Sequence, residues 1–148
     1  MNIGISGQRV ERISFDYGLS FLTDVGTEVR IETKVSMQLA DGARREFDLP
    51  NSPREASDVL VVLHQEVIAA SVEEGAATLS LEFTGAAMIE VRSDDMYEAW
   101  TTSKSGGVKF AALPGGGIST RGVPTTELPS NHFRRRWLSS SFRRCEVM

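Results

Sequence analysis

The chain has 148 residues, a net charge of −4, 41% hydrophobic residues and 24% charged residues. This composition is typical of a globular protein and excludes an intrinsically disordered chain. No run of about 18 apolar residues is present, and no basic start is followed by an apolar stretch. We therefore expect no transmembrane segment, no signal peptide and a cytoplasmic location. The single cysteine, Cys145, excludes an intramolecular disulfide and a thiolate metal site.

Charge is divided unevenly along the chain. Residues 1–120 carry 10 basic and 18 acidic side chains, whereas residues 121–148 carry 6 arginines and 2 glutamates. A block asymmetry of this kind indicates an acidic body followed by a basic extension. We therefore predict a folded domain over residues 1–121 and a basic tail, rich in Arg, Ser and aromatic residues, over 122–148.

Alternation of apolar and polar residues predicts antiparallel strands through most of the domain. Residues 9–15 and 19–23 read as two strands joined by a turn. The longest alternation covers residues 27–39, which exceeds the usual strand length, so we expect a bend or bulge near Thr33. A charged edge strand follows at 44–48.

The segment Ser52–Leu63 predicts a helix. Ser52 and Glu55 have the spacing of a capping box, and Pro53 stands at the first helical position. Ala56, Val59, Leu60 and Leu63 then form one apolar face at α-helical spacing, so Leu60 and Leu63 should face the sheet. The β-branched run 59–63 leaves a buried strand as the alternative.

After the helix the first pattern recurs. Residues 65–92 resemble residues 8–33, at an offset of 57 that becomes 60 after a longer turn. We interpret this as a degenerate internal repeat; the alternative is that any two meanders look alike at this level. A final hairpin is expected over 97–113. The predicted fold is α+β, a strongly twisted antiparallel sheet of two meanders packed around one central helix.

Two motifs invite a ligand-binding interpretation. The run Pro114–Gly117 resembles a phosphate loop, but no lysine and no helix pattern follow, which favours a structural turn. Glu90, Asp94 and Asp95 could supply oxygen ligands to a divalent cation, but adjacent carboxylates diverge on an extended chain, which favours a solvated turn.

The sequence contains no catalytic grouping that we can assign. Only two histidines occur, His64 and His132, and neither is part of a recognisable nucleophile–base pattern. We therefore predict no catalytic residue, no metal site and no cofactor, and a protein that is not an enzyme.

Two regions are candidates for contact with a partner. Trp100 is a candidate contact residue if it is exposed, the alternative being a core tryptophan. In the tail, arginines alternate with aromatic residues, a pattern suited to single-stranded nucleic acid or to anionic lipid. The alternatives are an unstructured tail or one that folds onto the acidic body. The candidate tail contacts are Arg134, Arg135, Arg136, Trp137, Arg143 and Arg144.

The strings Gly7–Val10, Tyr97–Trp100 and Pro114–Gly116 occur in an order that resembles an uncharacterised family of small bacterial proteins. The family pattern includes a Tyr-Glu-Ala-Trp string and a C-terminal Pro-Gly-Gly segment. The resemblance covers residues 5–120 and implies a fold and an extent, but no activity. Two departures are Asp24–Gly26, which widens a turn, and Arg121, which stands where the pattern has an aromatic residue.

These observations favour a non-catalytic protein-binding domain, specifically an immunity-like partner that masks a basic surface. The alternative is a surface-binding module whose basic tail engages nucleic acid or anionic lipid. A small-molecule-binding protein or an enzyme comes third. The expected partner is another protein, and a homo-oligomer is compatible with the sequence.

Overall fold

The computed structural model describes residues 1–104 and 107–122. These residues form eleven strands and one short helix. The strands are β1 (Val10–Phe15), β2 (Leu19–Thr23), β3 (Glu28–Ile31), β4 (Lys34–Gln38), β5 (Arg44–Asp48), β6 (Val67–Glu73), β7 (Thr78–Phe83), β8 (Met88–Val91), β9 (Trp100–Ser103), β10 (Lys109–Ala112) and β11 (Ile118–Arg121). The helix is Pro53–Val62. Within this described part of the chain, no helix is both long and apolar enough to cross a membrane.

The strands form two antiparallel sheets. The six-stranded sheet has the order β1-β2-β3-β9-β10-β11, and the five-stranded sheet has the order β5-β4-β8-β7-β6. Alternate side chains of both sheets enter one apolar core, in which the rings of Phe21 and Phe83 meet edge to face with centroids 6.4 Å apart. The sheet-rich, antiparallel character with one short helix agrees with the α+β prediction in its coarse form. The single sheet around a central helix is not observed.

The long alternation over residues 27–39 explains why there are two sheets. The chain bends at Thr33, as predicted, and at this bend it leaves one sheet and enters the other, so β3 pairs in the six-stranded sheet and β4 in the five-stranded sheet. A second crossover, residues 92–99, carries the chain back to β9. The first crossover, Glu32 and Thr33, lies beside the second, and the amide of Glu32 donates to the carbonyl of Ala99 at 2.8 Å.

The helix is a 3₁₀ helix rather than the predicted α-helix. Its buried residues are Ala56, Val59 and Val62, spaced three apart, which matches the three residues per turn of a 3₁₀ helix. Leu60, predicted to face the sheet, is 51% exposed, so that prediction is wrong. The Ser52 side chain makes no capping hydrogen bond. The helix packs against β1 and β5, and its β-branched residues oppose a regular α-helix.

The strand triplets β1–β3 and β6–β8 have the same pairing at the predicted offsets. Both triplets contain a register shift at the same point of the first strand, between Val10 and Arg12 and between Val67 and Ala69. The equivalent cross-strand pairs are Leu19↔Ile31 with Leu79↔Val91, and Phe21↔Val29 with Leu81↔Ile89. A common origin of the two triplets by duplication stays a prediction.

The triplets are joined by reciprocal hydrogen bonds between the edges of β1 and β6. Each bond has a counterpart with donor and acceptor exchanged between the triplets. The pairs are Val10 N to Gln65 O at 2.9 Å with Val67 N to Gln8 O at 2.8 Å, and Gly7 N to Val67 O at 2.7 Å with His64 N to Val10 O at 2.8 Å. The two sheets are therefore continuous through backbone bonds along this edge.

We expect the substitution Ala86→Gly to stabilise the protein by about 1 kcal/mol. Ala86 has φ 63° in the turn between β7 and β8, a left-handed conformation that costs an L-residue roughly 1–2 kcal/mol. The equivalent turn between β2 and β3 has Gly26, with φ 86°. Urea unfolding measures the effect. Ala76→Gly is the control, and it should be neutral or destabilising because Ala76 has no positive φ; equal effects would contradict the assignment.

The substitution Val59→Ala should destabilise the fold by roughly 1–3 kcal/mol, because Val59 is fully buried and its loss leaves a cavity. Leu60→Ala removes more atoms but should cost under about 1 kcal/mol, because Leu60 is half exposed. Chemical denaturation of both variants decides the helix geometry. If Leu60→Ala lowers the free energy of unfolding more than Val59→Ala does, Leu60 faces the core, as the α-helical pattern predicts.

Candidate functional site

An open groove of about 1220 Å³ lies over the outer face of the five-stranded sheet. The side chains that line it are mostly polar or charged, with more acidic than basic groups. The lining carboxylates belong to Glu32, Glu46, Asp48, Glu90, Asp94 and Asp95, and the lining cations to Lys34, Arg44, Arg45 and Arg92. The groove therefore has the chemistry of a site for a cationic, extended ligand rather than an apolar one.

Small side chains make the floor of the groove. Ser36 of β4 lies opposite Glu90 of β8 and opposite Glu46 of β5, so the three form one row across three strands. Ser80 of β7 pairs with Glu90 on the other side. Because neighbouring strands are about 4.8 Å apart, Glu46 and Glu90 stand roughly 10 Å apart with the short Ser36 between them. The Ser36 hydroxyl donates to Glu46 Oε1 at 3.3 Å, so the Glu46 carboxylate lies beside the serine, and Glu90 stands on the other side of it.

The crossover 92–99 borders one end of the groove and is held by Asp94. Its Oδ1 accepts from the Met96 amide at 2.8 Å, and its Oδ2 accepts from the Thr33 hydroxyl at 3.2 Å. Its carbonyl accepts from the Gly115 amide at 2.8 Å. The hydrogen bond from the Met96 amide is the main cause that lowers the pKa of Asp94 below its usual value, and the bond from the Thr33 hydroxyl lowers it further. The Asp94 carboxylate therefore ties the two crossovers together, and the Asp94 backbone carbonyl holds the turn after β10.

Large side chains are exposed at this end of the molecule. Tyr97 lines the groove and is 64% exposed, and Met96 beside it is 74% exposed. Tyr17, in the turn between β1 and β2, is 89% exposed. Its neighbour Gly18 lies against the backbone of Ile31, just before the first crossover. Exposed Tyr and Met side chains next to a charged groove are typical of protein contact surfaces.

The equivalent position of the other sheet is closed by an ion-pair network. Arg30, which corresponds to Glu90 at the offset of 60, binds Asp16 at 2.8 Å and Glu32 at 2.8 Å. Its guanidinium also donates to Ser20 Oγ at 3.1 Å. The Arg30 contact is the main cause that lowers the pKa of Asp16. Among the side chains that the structure describes, Glu90 has an ion pair only with the exposed Arg92, at 3.4 Å, so its described surroundings are more open.

The structure corrects one predicted contact residue. Trp100 is 0% exposed, and its indole Nε1 donates to the Ala77 carbonyl at 2.8 Å, so it is a core residue and does not contact a partner. It joins β9 of one sheet to the turn between β6 and β7 of the other. The predicted tail contacts Arg134, Arg135, Arg136, Trp137, Arg143 and Arg144 lie outside the described residues.

The glycine run after β10 is a structural turn. Gly115, Gly116 and Gly117 all have positive φ, and Gly117 N donates to the Gly75 carbonyl at 3.2 Å. A Cβ on Gly116 would lie 2.9 Å from the Gly75 oxygen, so this close approach requires glycine. Among the described residues, no three His, Cys, Asp or Glu side chains come together as a metal-ligand set.

Sequence reasoning missed the groove because its floor depends on which strands become neighbours. Alternation did place Ser36, Glu46 and Glu90 on polar faces of their strands. It could not show that β4 leaves β3 and pairs with β8, which is the step that brings Ser36 next to Glu90. The signal available in the sequence was the match of Arg30 to Glu90 between the two triplets, where the charge is reversed.

Comparison with known proteins finds one family. A model described as a family of unknown function (DUF6188) matches residues 1–122. No curated protein and no solved structure shows a significant match. The match agrees with the expected membership in an uncharacterised family, while the bacterial origin and the specific motifs stay predictions.

The variant Asp94→Asn should make stability less dependent on pH in acid. A carboxylate whose pKa is lowered by folding stabilises the native state above its usual pKa and loses that contribution as pH falls through the lowered value. The melting temperature of the wild type should therefore fall more between about pH 6 and about pH 3 than that of the variant. The replacement amide can still accept from Met96. Asp95→Asn is the control. If Asp94→Asn and Asp95→Asn have the same dependence of melting temperature on pH, the assignment to Asp94 is wrong.

Proposed function

We propose that this chain, which belongs to the family of unknown function DUF6188, is a non-catalytic domain that binds a cationic protein segment in its groove. The observation that carries the proposal is the recessed row Glu46–Ser36–Glu90, with exposed Tyr97 and Met96 at its end. The carboxylates of Glu46 and Glu90, on the two sides of Ser36, suit the guanidinium or ammonium of a bound side chain. The neighbouring aromatic and thioether groups suit its apolar stem.

The charge of the domain supports the same partner. Residues 1–122 carry 11 basic and 18 acidic side chains. Part of this excess lies at the groove, which is lined by Asp94 and Asp95 of the crossover and by Glu32, Glu46, Asp48 and Glu90. An acidic surface attracts a cationic partner before contact and raises the association rate, an effect that weakens with added salt.

An immunity-like role is the finer form of this proposal. Compact acidic α+β proteins serve as partners that mask the basic surfaces of toxins, and the likeness is an analogy of shape and charge. Under this form, expression of the chain protects cells from a toxin encoded by a neighbouring gene, and the variant Glu46→Gln/Glu90→Gln loses that protection. If this variant still protects the cells, the toxin does not bind in the groove.

The general proposal is tested with a fluorescent, extended Lys/Arg peptide as the probe. Glu46→Gln/Glu90→Gln should weaken its binding by about 5- to 30-fold, about 1–2 kcal/mol, because the inserted cation loses both carboxylates. Glu28→Gln/Glu55→Gln removes the same charge away from the groove and is the matched control. Fluorescence anisotropy at low salt measures both.

Two results would refute the groove as the binding site. The first is an equal loss for the groove variant and its control, which would mean that net charge alone drives binding. The second is an unchanged affinity in both. Tyr97→Ser gives an independent check, since it keeps the charge and should weaken the peptide by about 3- to 10-fold if the aromatic ring contacts it.

A further inference from the structure

The outer side of β5 is a free strand edge that borders the groove. β5 ends the five-stranded sheet on one side, whereas β6, which ends it on the other, is joined to β1 by hydrogen bonds. Arg44, Arg45 and Glu46 of β5 are exposed and line the groove. An exposed strand edge presents backbone groups with which a further strand can pair.

The turn between β4 and β5 shows which backbone groups point outward. At this turn the Leu39 amide donates to the Ala43 carbonyl at 2.9 Å, so the backbone groups of Ala43 point toward β4. Along a paired strand these groups point alternately to the two sides. The outward groups of β5 therefore belong to Arg44, Glu46 and Asp48.

Most of these outward groups have no partner in the part of the chain that the structure describes. The amides of Arg44, Glu46 and Asp48 and the carbonyl of Glu46 make no hydrogen bond with a described residue. The Arg44 carbonyl accepts only from the exposed Arg45 guanidinium, at 3.3 Å, a contact that another donor can replace. The Asp48 carbonyl is occupied by two amides of the following loop, at 3.2 and 2.7 Å, so the free edge ends there.

The free edge has the length of a short added strand, since five extended residues span about 17 Å. In an antiparallel ladder, Arg44 and Glu46 would each exchange hydrogen bonds with one residue of the added strand, and Asp48 would donate one. Directly opposite residues share a face of the sheet. The side chains opposite these three would therefore lie on the outer face and continue the row Glu46–Ser36–Glu90.

The charges on the outer face of β5 favour a cationic strand. Opposite charges on directly paired residues stabilise a sheet, and two of the three outer side chains, Glu46 and Asp48, are acidic. Lys34 lies opposite Asp48 on β4, but no ion pair joins the two. Arg44 favours a neutral or acidic residue at the third position. Cations are therefore expected opposite Glu46 and Asp48.

The same charges disfavour pairing of β5 with a second copy of the chain. Two copies related by a two-fold axis would pair these edges antiparallel, with outward groups facing outward groups. The registers that pair most of the strand put like charges directly opposite each other: Glu46 and Glu46, Arg45 and Arg45, or Glu46 and Asp48. Such pairs destabilise a sheet. The edge therefore suits a different, cationic strand better than its own copy.

We propose that the cationic segment is held as an additional strand, antiparallel to β5, whose backbone pairs with this free edge. The inference rests on the proposed function, because it specifies how the segment bound at the groove is held. Backbone hydrogen bonds supply affinity that depends little on sequence, and Glu46 and Asp48 select cations at alternate positions. In the segment, these cationic residues are also the ones whose amides face β5.

The test uses a fluorescent peptide, Lys-Thr-Lys-Thr-Lys-Thr-Lys, and two N-methylated forms of equal charge. One form is methylated on the amides of the last three lysines, and the other on the amides of the three threonines. Methylated lysine amides lose their bonds to β5, which should weaken binding by about 10-fold or more. Threonine amides face away from β5, so their methylation should change the affinity by less than about 2-fold. Anisotropy at low salt measures all three peptides.

Arg44→Pro and Arg44→Thr test the edge from the protein side. Both remove the same charge, but proline also removes the outward amide. Arg44 is the first residue of β5, a position at which an edge strand tolerates proline. Arg44→Pro should bind the unmodified peptide about 3-fold more weakly than Arg44→Thr. Urea unfolding checks that both variants fold, and the methylated peptides test the edge in the unaltered protein.

Equal binding of the unmodified peptide and both methylated forms would overturn the added strand and leave the groove proposal in place. An equal loss for the two forms, or a greater loss for the threonine form, would do the same. No binding of the unmodified peptide at low salt would overturn both proposals. A dimer in analytical ultracentrifugation that Arg44→Pro converts to a monomer would assign the edge to a second copy and overturn the cationic strand.

Discussion

The reciprocal hydrogen bonds between β1 and β6 are the constraint on which the architecture depends. The amides of Val10 and Val67 each donate to a carbonyl of the other triplet. The amides of Gly7 and His64, three residues earlier in each segment, do the same. These bonds satisfy the edges of both triplets, which would otherwise be unpaired backbone. They also fix His64 at φ 67°, the left-handed conformation that Gly7 adopts at the equivalent position. A histidine is strained there because the symmetry of the backbone bonds dictates its conformation.

Exchange of strands between the two triplets follows from this arrangement. β4 and β5 extend the sheet of the second triplet, and β9 to β11 extend the sheet of the first. Each sheet therefore contains strands from both halves of the chain, and the buried indole of Trp100 bonds one half to the other. Unfolding of one half must expose the core of the other, so we expect the domain to unfold cooperatively.

The equivalence of the triplets makes their differences informative. Arg30 is neutralised by Asp16 and Glu32, whereas Glu90 at the corresponding place stands in a groove floored by serines. The ion-pair network on the first face holds the fold, and the second face is the one on which we propose that a ligand binds.

The sequence by itself determined the strands, because period-two alternation is a local property that burial of one face imposes on any sheet. It also determined the correspondence of the triplets and the turn at the glycine run. Tertiary structure decided the rest. Apolar residues stand at both 60 and 62, and only packing against β1 and β5 selects Val62 and the 3₁₀ geometry. The sequence also predicted a bend near Thr33, but alternation cannot specify a strand's neighbour. The change of sheet at Thr33, the burial of Trp100 and the row Glu46–Ser36–Glu90 therefore depend on contacts between residues far apart in the chain.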